Sequence, residues 1–339
     1  MFGKRNQSGK IATLATVTLA ITAGAASAQT LVVASDRQGS LMNRVATAIA
    51  KTISDNSKVR AVVRPFAGPD AYMASLNAGR LKLAVFTATS AYIDVRGENK
   101  AKRAYKNIRT LRSGPNVLRL GFLVPAKSNI KTVADLKGKK FPSDFGGHSA
   151  LMKSIGTGLS TGGLTWKDVI QVPVTGVVDG VKSLQAGRTE AIWGPVGMPA
   201  VRQVHAKMGL RFLSFPDTPE ALAGMRKMMF PGLQLFKFKK PIPPLSIAGP
   251  TNLITYDTYL VAHKDLDAAT TQKILDGLWK GAGQLTKSSP ILRGFQNKSS
   301  ATTVPMMPYH KTAVKYYKEK GIWSKAVEAG NAIATGWVK

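Results

Sequence analysis

The chain has 339 residues, 44% of them hydrophobic, which is enough for two domains that each bury a core. It contains no cysteine, which excludes disulfides, thiolate nucleophiles and thiolate metal ligands. The formal net charge of +30 favours anionic partners, but the Lys and Arg residues are scattered along the chain. This scatter is typical of a basic soluble surface and not of a nucleic-acid groove.

The first 28 residues have the pattern of a secretory signal peptide. Basic residues precede an apolar run at 11–25, and Ala26, Ser27 and Ala28 form a small-residue cleavage site. A membrane anchor is the alternative, but the run is short and no second span follows it. We therefore expect a periplasmic protein whose signal peptide is removed near Ala28.

The mature chain alternates short apolar strands with amphipathic helices. Residues 31–33 and 59–66 are typical of strands, and Leu41, Val45 and Ile49 recur between them with helical spacing. This alternation predicts an α/β fold in which crossover helices join parallel strands. Ligands of such folds bind beyond the carboxyl ends of the strands, where helix N-termini converge.

Two hexapeptides in the chain are almost identical. SLNAGR at 75–80 and SLQAGR at 183–188 differ at one letter, and an apolar stretch follows each copy. Both copies predict a helix that a glycine closes and that leads into a buried strand. We therefore expect two α/β lobes that use the same helix exit.

The resulting domain prediction has a lobe 1 formed by residues 30–125 plus 255–339 and a lobe 2 formed by residues 126–254. The apolar stretches 118–124 and 256–262 are the expected hinge strands between the lobes. Residues 216–250 are rich in Met, Phe, Lys and Pro, and no pattern predicts their structure.

Several segments resemble one family of transport proteins. NIKTVADLKGKKF at 129–141, in which Thr132 is expected to cap a helix that ends at Gly138, is similar to a segment of periplasmic solute-binding proteins with the type II fold. The loops at 39–40 and 146–149, together with 163–165 and 190–199, resemble the TAXI family, the substrate-binding subunits of certain TRAP transporters. The resemblance implies a two-lobed periplasmic-binding-protein type II fold, in which each lobe is a mostly parallel sheet with flanking helices.

The resemblance also implies a function. Such a protein captures a small anionic solute, a carboxylate or an amino acid, between its lobes and delivers it to TRAP-type membrane permease subunits. It implies no catalysis, no cofactor and no specific nucleic-acid partner for a chain that we expect to be a monomer. Carried over by position, the expected ligand-binding residues are Gln38, Gly39, Ser40, Gly68, Pro69, Tyr72, Thr87, Ala88, Thr89, Gly147, His148, Ser149, Trp193, Gly194 and Gly197.

This sequence departs from the family at several of these positions. Tyr72 stands where the family has an asparagine, and Gly146-Gly147-His148-Ser149 replaces Gly-Ser-Gly-Thr. Arg37 joins the expected site because its guanidinium can hold a carboxylate through two parallel hydrogen bonds. His148 either donates to the ligand or caps its helix, and Trp193 either stacks on the solute or fills the core.

Other function classes were weighed against this one. Gly147-His148-Ser149 begins a nucleophile elbow, but Leu151 stands where a serine hydrolase needs its second glycine. The remaining alternative is a basic exported protein that binds nucleic acid or acidic envelope polymers. The four histidines are too widely spaced for a metal site, so none is expected.

Overall fold

The computed structural model describes residues 30–146 and 148–339, so the expected signal peptide lies outside the described residues. The strands are β1 Thr30–Asp36, β2 Arg60–Phe66, β3 Leu83–Thr87, β4 Ile108–Pro125, β5 Lys140–Ser143, β6 Ile170–Pro173, β7 Ile192–Pro195, β8 Leu210–Phe212, β9 Gln234–Phe238 and β10 Thr251–His263. The helices are α1 Leu41–Asn56, α2 Met73–Asn77, α3 Ala88–Arg96, α4 Ser149–Ser160, α5 Val177–Gln185, α6 Pro199–Met208, α7 Pro219–Met228, α8 Ala268–Lys280, α9 Ala282–Ser288, α10 Lys311–Glu319 and α11 Lys325–Gly336. This alternation confirms the α/β class.

The strands form one large sheet and one small sheet. The large sheet has the order β2, β1, β3, β10, β4, β7, with β8 beside β4 and β9 beside β10. Strand β1 pairs parallel with β2 and β3, and β5 pairs parallel with β6 in the small sheet. Strands β4 and β10 are antiparallel to each of their neighbours. The expected parallel pairing therefore holds for β1 with β2 and β3 and for β5 with β6. The two long strands β4 and β10 are antiparallel to their neighbours.

Strands β4 and β10 connect the two lobes. Strand β10 pairs with β3 through residues 258–262 and with β9 through residues 251–255. Strand β4 pairs with β10 along most of its length and with β7 through residues 120–123. Both stretches that we expected to be hinge strands, 118–124 and 256–262, lie within these two strands. The exact lobe boundaries stay a prediction.

The repeated hexapeptide adopts the same geometry in both copies. Gly79 after α2 has φ 72° and Gly187 after α5 has φ 69°, both in the left-handed region. The next residue's amide closes each helix, because Arg80 N donates to Ser75 O at 2.9 Å and Arg188 N donates to Ser183 O at 2.9 Å. The predicted helix exit is confirmed in both places.

Two sequence expectations need revision. The helix expected after Thr132 is only a 3-10 turn at Ala134–Leu136, because the Asp135 carboxylate accepts the amides of Lys131 and Thr132, both at 2.8 Å. The unassigned segment 216–250 is ordered into α7, β9 and a 3-10 turn at Pro243–Leu245. Its apolar residues are spread over three short elements, which is why no single periodicity reveals them.

Candidate functional site

A cavity lies where the two lobes meet the linking strands. Such a position, between domains and beyond the carboxyl ends of strands, is typical of ligand sites in α/β proteins. The cavity is lined by Asp36, Ser40, Leu41, Met42, Thr87, Leu118, Leu120, His148, Ala150, Leu151, Ser154, Val177, Trp193, Pro195, Met198 and Tyr256.

Lobe 1 contributes the ends of two parallel strands and the helices that follow them. Strand β1 ends at Asp36 and β3 ends at Thr87, so both side chains lie at the same edge of the sheet. Ser40 caps α1 by accepting the amide of Asn43 at 3.1 Å. Thr87 caps α3 in the same way, accepting the amide of Ser90 at 3.1 Å. The hydroxyl oxygens of Ser40 and Thr87 therefore accept hydrogen bonds from the amides of their own helices.

The linking strands form the floor of the cavity. Leu118 and Leu120 of β4 line it, whereas Arg119 between them does not, because successive side chains of a strand point to opposite faces. The Arg119 guanidinium instead lies 3.8 Å from the centre of the Phe236 ring. Strand β10 contributes Tyr256, whose hydroxyl lies 3.3 Å from the hydroxyl of Ser154 in α4.

Lobe 2 closes the cavity with α4, β7 and the start of α6. Trp193 of β7 packs edge-on against Phe122, with 4.9 Å between the ring centres, and is almost completely buried. It therefore fills the lobe core and lines the cavity at once. His148 precedes α4, but its side chain makes no capping hydrogen bond to the helix. The imidazole lines the cavity instead.

The lining contains one carboxylate, that of Asp36, and one imidazole, that of His148. Asp36 Oδ2 lies 3.5 Å from His148 Nε2, and both side chains are at least nine-tenths buried. Asp36 Oδ1, His148 Nδ1 and Trp193 Nε1 are buried without a hydrogen-bond partner among the described residues. Buried polar atoms are normally hydrogen-bonded, so three such atoms around one cavity indicate a place for a ligand.

Three further contacts hold the lobes together around the cavity. Ser149 of α4 donates both its amide and its hydroxyl to Asp70, at 3.0 and 2.6 Å. Ala200 N in α6 donates to Gly39 O at 3.4 Å. Lys153 Nζ lies 2.5 Å from Glu98 Oε2. The lobes are therefore in contact on more than one side of the cavity.

The structure brings together only some of the residues expected from the sequence. Four of them line the cavity, namely Ser40, Thr87, His148 and Trp193. Gly39 and Ser149 contribute contacts between the lobes. Residues that are buried outside the lining are Gly68, Pro69, Tyr72, Ala88, Thr89, Gly194 and Gly197. Gly147 lies outside the described residues.

Arg37, Gln38 and Tyr72 differ most from the expectation. Arg37 and Gln38 are exposed and do not line the cavity, because the chain leaves the sheet after Asp36. Tyr72 is fully buried, and its hydroxyl donates to Val85 O at 3.4 Å. The Asp36 carboxylate lies beside the His148 imidazole, with 3.5 Å between Oδ2 and Nε2.

The expected site omitted Asp36 and most of the apolar lining. Asp36 is the last residue of the first predicted strand, and that position alone could have identified it. The leucines and methionines of the lining look like core residues in the sequence. Among residues 30–146 and 148–339, no group of three or more His, Asp or Glu could hold a metal ion, and no helix is long and apolar enough to span a bilayer.

Several solved structures are similar to this chain. One solved structure, described as a periplasmic transporter, is 16% identical with a TM-score of 0.57, over 93% of this chain and 97% of the other. PhnD1 from Prochlorococcus marinus (MIT 9301), in complex with methylphosphonate, is 14% identical with a TM-score of 0.49, over 87% and 99%. The alkanesulfonate-binding protein SsuA from Xanthomonas axonopodis pv. citri, bound to MOPS, is 16% identical with a TM-score of 0.46, over 89% and 97%.

The first of these likenesses confirms the two-lobed periplasmic-binding-protein type II fold. No curated protein matches the sequence. The model of one protein family, described as the NMT1-like family, matches residues 39–321, which is most of the chain and includes every residue that lines the cavity except Asp36. The chain therefore belongs to the NMT1-like family.

Proposed function

We propose that this chain is a periplasmic solute-binding protein that holds a small molecule between its lobes and delivers it to a membrane permease. The observation that carries the proposal is the cavity lined jointly by both lobes and by the two strands that link them. A solute bound there contacts both lobes only when they are closed, so its binding energy favours the closed form. A permease can then distinguish the loaded protein from the empty one by its shape.

The proposed partner is a TRAP-type permease, and the proposed lobes are residues 30–125 plus 255–339 and residues 126–254. The resemblance of the loops at 39–40 and 146–149 to the TAXI family supports this choice of permease. The basic and apolar pattern of residues 1–28 supports export to the periplasm. The protein acts as a monomer and changes nothing in its solute chemically.

The charge of the solute needs separate treatment. The resemblance implied an anion, a carboxylate or an amino acid, and Arg37 was the residue expected to hold the carboxylate. Arg37 is exposed and outside the lining, and the lining includes the carboxylate of Asp36. A simple organic anion would therefore meet a negative charge where we expected a positive one.

A hydrolase that uses Ser149 has little support. Its hydroxyl is 2.6 Å from Asp70 Oδ2 and donates to it, so the serine contributes to the contact between lobes. A nucleophile would also need a substrate within reach, and Ser149 does not line the cavity.

Mass spectrometry of small molecules that co-purify with the protein tests the solute-binding role. We expect one or a few small solutes that dissociate on denaturation, and adding them back should raise the melting temperature by linkage. A preparation without any such solute, together with no stabilisation by a broad library of small molecules, contradicts the proposal. Steeply salt-dependent binding to unrelated nucleic acids in the same preparation would favour the polyanion-binding alternative.

A further inference from the structure

We propose that the ligand is a small amine, a nitrogen cation with an apolar body, whose nitrogen is held by Asp36. This inference rests on the proposed solute-binding role and names the class of solute. It replaces the anion that the sequence led us to expect. Three features of the cavity support it: the buried polar atoms without partners, the helix amides that are already in use, and the apolar walls.

The Asp36 carboxylate is nearly buried and only half satisfied. Its Oδ2 lies 3.5 Å from His148 Nε2, which is long for a hydrogen bond, and its Oδ1 has no partner in the described part of the chain. A buried carboxylate is costly unless hydrogen-bond donors and a positive charge compensate it. The ligand is therefore expected to bring a donor to Asp36.

His148 lies beside Asp36 and leaves a second polar atom of the cavity wall without a partner. Its Nε2 faces Asp36 Oδ2, and its Nδ1 has no hydrogen-bond partner among the described residues. An ammonium group, with three N–H bonds and one positive charge, can donate to Asp36 Oδ1 and still has N–H bonds for a further acceptor.

The helix N-termini around the cavity would favour an anion, but the chain uses several of their amides itself. The amide of Ser149, at the start of α4, donates to the Asp70 carboxylate. The amide of Ala200 in α6 donates to Gly39 O, and the amide of Asn43 in α1 donates to the Ser40 hydroxyl. The positive end of α4 thus already has its carboxylate. None of the described lining residues is Lys or Arg, so no side-chain cation replaces these amides.

The rest of the lining is mostly apolar and fits an apolar body. The apolar side chains are those of Leu41, Met42, Leu118, Leu120, Ala150, Leu151, Val177, Pro195 and Met198, together with the ring of Trp193. Burying hydrocarbon against such walls contributes to binding in proportion to the area removed from water. Trp193 Nε1, the third atom without a partner, can donate to one oxygen on the ligand.

The test compares compounds that share a body and differ in the head group. Phenethylamine, 3-phenylpropionate and phenethyl alcohol form one set, and butylamine, pentanoate and butanol form another, with neutral amino acids as a fourth head group. Thermal shift and calorimetry on the mature protein measure each compound. We expect the amine of a set to stabilise the wild type, and its carboxylate to bind at least tenfold more weakly or not at all.

Two matched variants locate the effect. Asp36→Asn keeps the shape of the side chain and removes its charge, and we expect it to weaken amine binding at least tenfold. Asp217→Asn is the control, because Asp217 is half exposed, pairs with Lys237 and does not line the cavity. It should leave binding unchanged. If Asp36→Asn fails to fold, the wild type alone tests the inference: tighter binding of the amine than of the carboxylate supports it, and the reverse contradicts it.

Each outcome has one meaning. Amine preference that Asp36→Asn abolishes supports the inference. Stabilisation by carboxylates or alcohols in preference to amines overturns the inference and leaves the solute-binding role standing. Equal amine affinity in Asp36→Asn and Asp217→Asn also overturns it. If no compound of any head group binds and no small molecule co-purifies, the solute-binding role falls, and the amine inference falls with it.

Discussion

Ser149 donates to Asp70 twice, through its amide at 3.0 Å and through its hydroxyl at 2.6 Å, and the two residues belong to opposite lobes. The carboxylate of Asp70 contacts the first residue of the 12-residue helix α4. The helix dipole favours a negative charge at this N-terminal end. Hydrogen bonds to charged groups are the stronger ones in proteins. The pair therefore stabilises this contact between the proposed lobes directly.

We predict that Asp70→Asn shifts the lobes towards an open arrangement. Both donors of Ser149 bond to one oxygen, Oδ2, and the neutral Asn oxygen that replaces it accepts more weakly and carries no charge for the helix dipole. The loss should be about 1–2 kcal/mol of closure free energy, which is roughly a 5- to 30-fold change in the ratio of closed to open protein. Fluorescence transfer between a dye on each lobe, and the radius of gyration from X-ray scattering, measure the shift.

Asp179→Asn is a control with closely matched chemistry. Asp179 Oδ2 accepts the amide of Thr175 at 2.9 Å and its hydroxyl at 3.3 Å, but both residues lie in lobe 2. This variant should lose some thermal stability without changing the distance between the lobes. Equal lobe distances in Asp70→Asn and wild type would show that the Ser149 contact does not govern closure.

A buried acid makes the stability of the protein depend on pH. Burial raises the pKa of Asp94 in α3 to about 8, against the hydrogen bond from Asn99 and with a further contribution from the charge of Asp70. Asp94 Oδ1 accepts from Asn99 Nδ2 at 2.8 Å, and Oδ2 has no partner among the described residues. Between its unfolded pKa of 3.8 and its folded pKa of about 8, the folded state binds the extra proton.

The sign of the pH dependence follows from this difference. Unfolding releases the proton of Asp94 in that window, so the free energy of unfolding falls as the pH rises, by at most about 1.4 kcal/mol per unit from this group. We predict that Asp94→Asn removes this loss and gains stability over wild type from pH 5 to pH 8. Urea unfolding at pH 5, 6.5 and 8 measures it. A difference between the two proteins that does not change with pH would contradict the assignment.

The two copies of the hexapeptide allow a paired prediction. Gly79 and Gly187 both have positive φ, so alanine at either position costs about 1–2 kcal/mol of backbone strain. A methyl group at Gly79 would also lie 3.3 Å from the His263 ring, whereas one at Gly187 would have open space. We predict that Gly79→Ala is the more destabilising of the two, as measured by thermal unfolding. Equal losses would mean that the His263 ring moves aside without cost.

Some parts of the molecule could be predicted from the sequence and others could not. The helix exits were predictable because a glycine and a few apolar spacings determine them locally. The linking strands were predictable because their apolar runs are long. The cavity was not, because Asp36 and His148 are far apart in the sequence and come together only in the folded chain. Arg37, which we expected to reach the solute, is exposed and outside the cavity lining, since sequence adjacency to a strand end does not reveal the direction of a side chain.

A buried arginine should stabilise the C-terminal region. Arg112 of β4 is almost inaccessible and donates to Leu278 O at 3.1 Å, Phe295 O at 2.7 Å and Asn297 Oδ1 at 3.1 Å. It thereby joins β4 to the end of α8 and to the segment that follows α9. Removing the guanidinium leaves these three oxygens buried without a donor.

We predict that Arg112→Met lowers the free energy of unfolding by about 2–3 kcal/mol, because unsatisfied buried acceptors are costly. Arg60→Met is the control, since Arg60 begins β2 and is exposed, and its loss should stay within about 0.5 kcal/mol. Urea unfolding followed by circular dichroism compares the two variants. Similar stabilities would show that the three oxygens find other donors or water.

His148 and Arg37 give opposite predictions for binding of whichever solute co-purifies. His148 lines the cavity and lies 3.5 Å from Asp36, so His148→Ala removes a polar group from the site and should weaken binding at least tenfold. Arg37 is exposed and outside the lining, so Arg37→Ala should change affinity by less than about twofold, as is usual for solvated side chains. Calorimetry at fixed ionic strength makes the comparison. A large loss of affinity in Arg37→Ala, with no loss in His148→Ala, would place the solute outside this cavity. The Arg37 guanidinium is exposed, so it can contact only a ligand that lies at the protein surface.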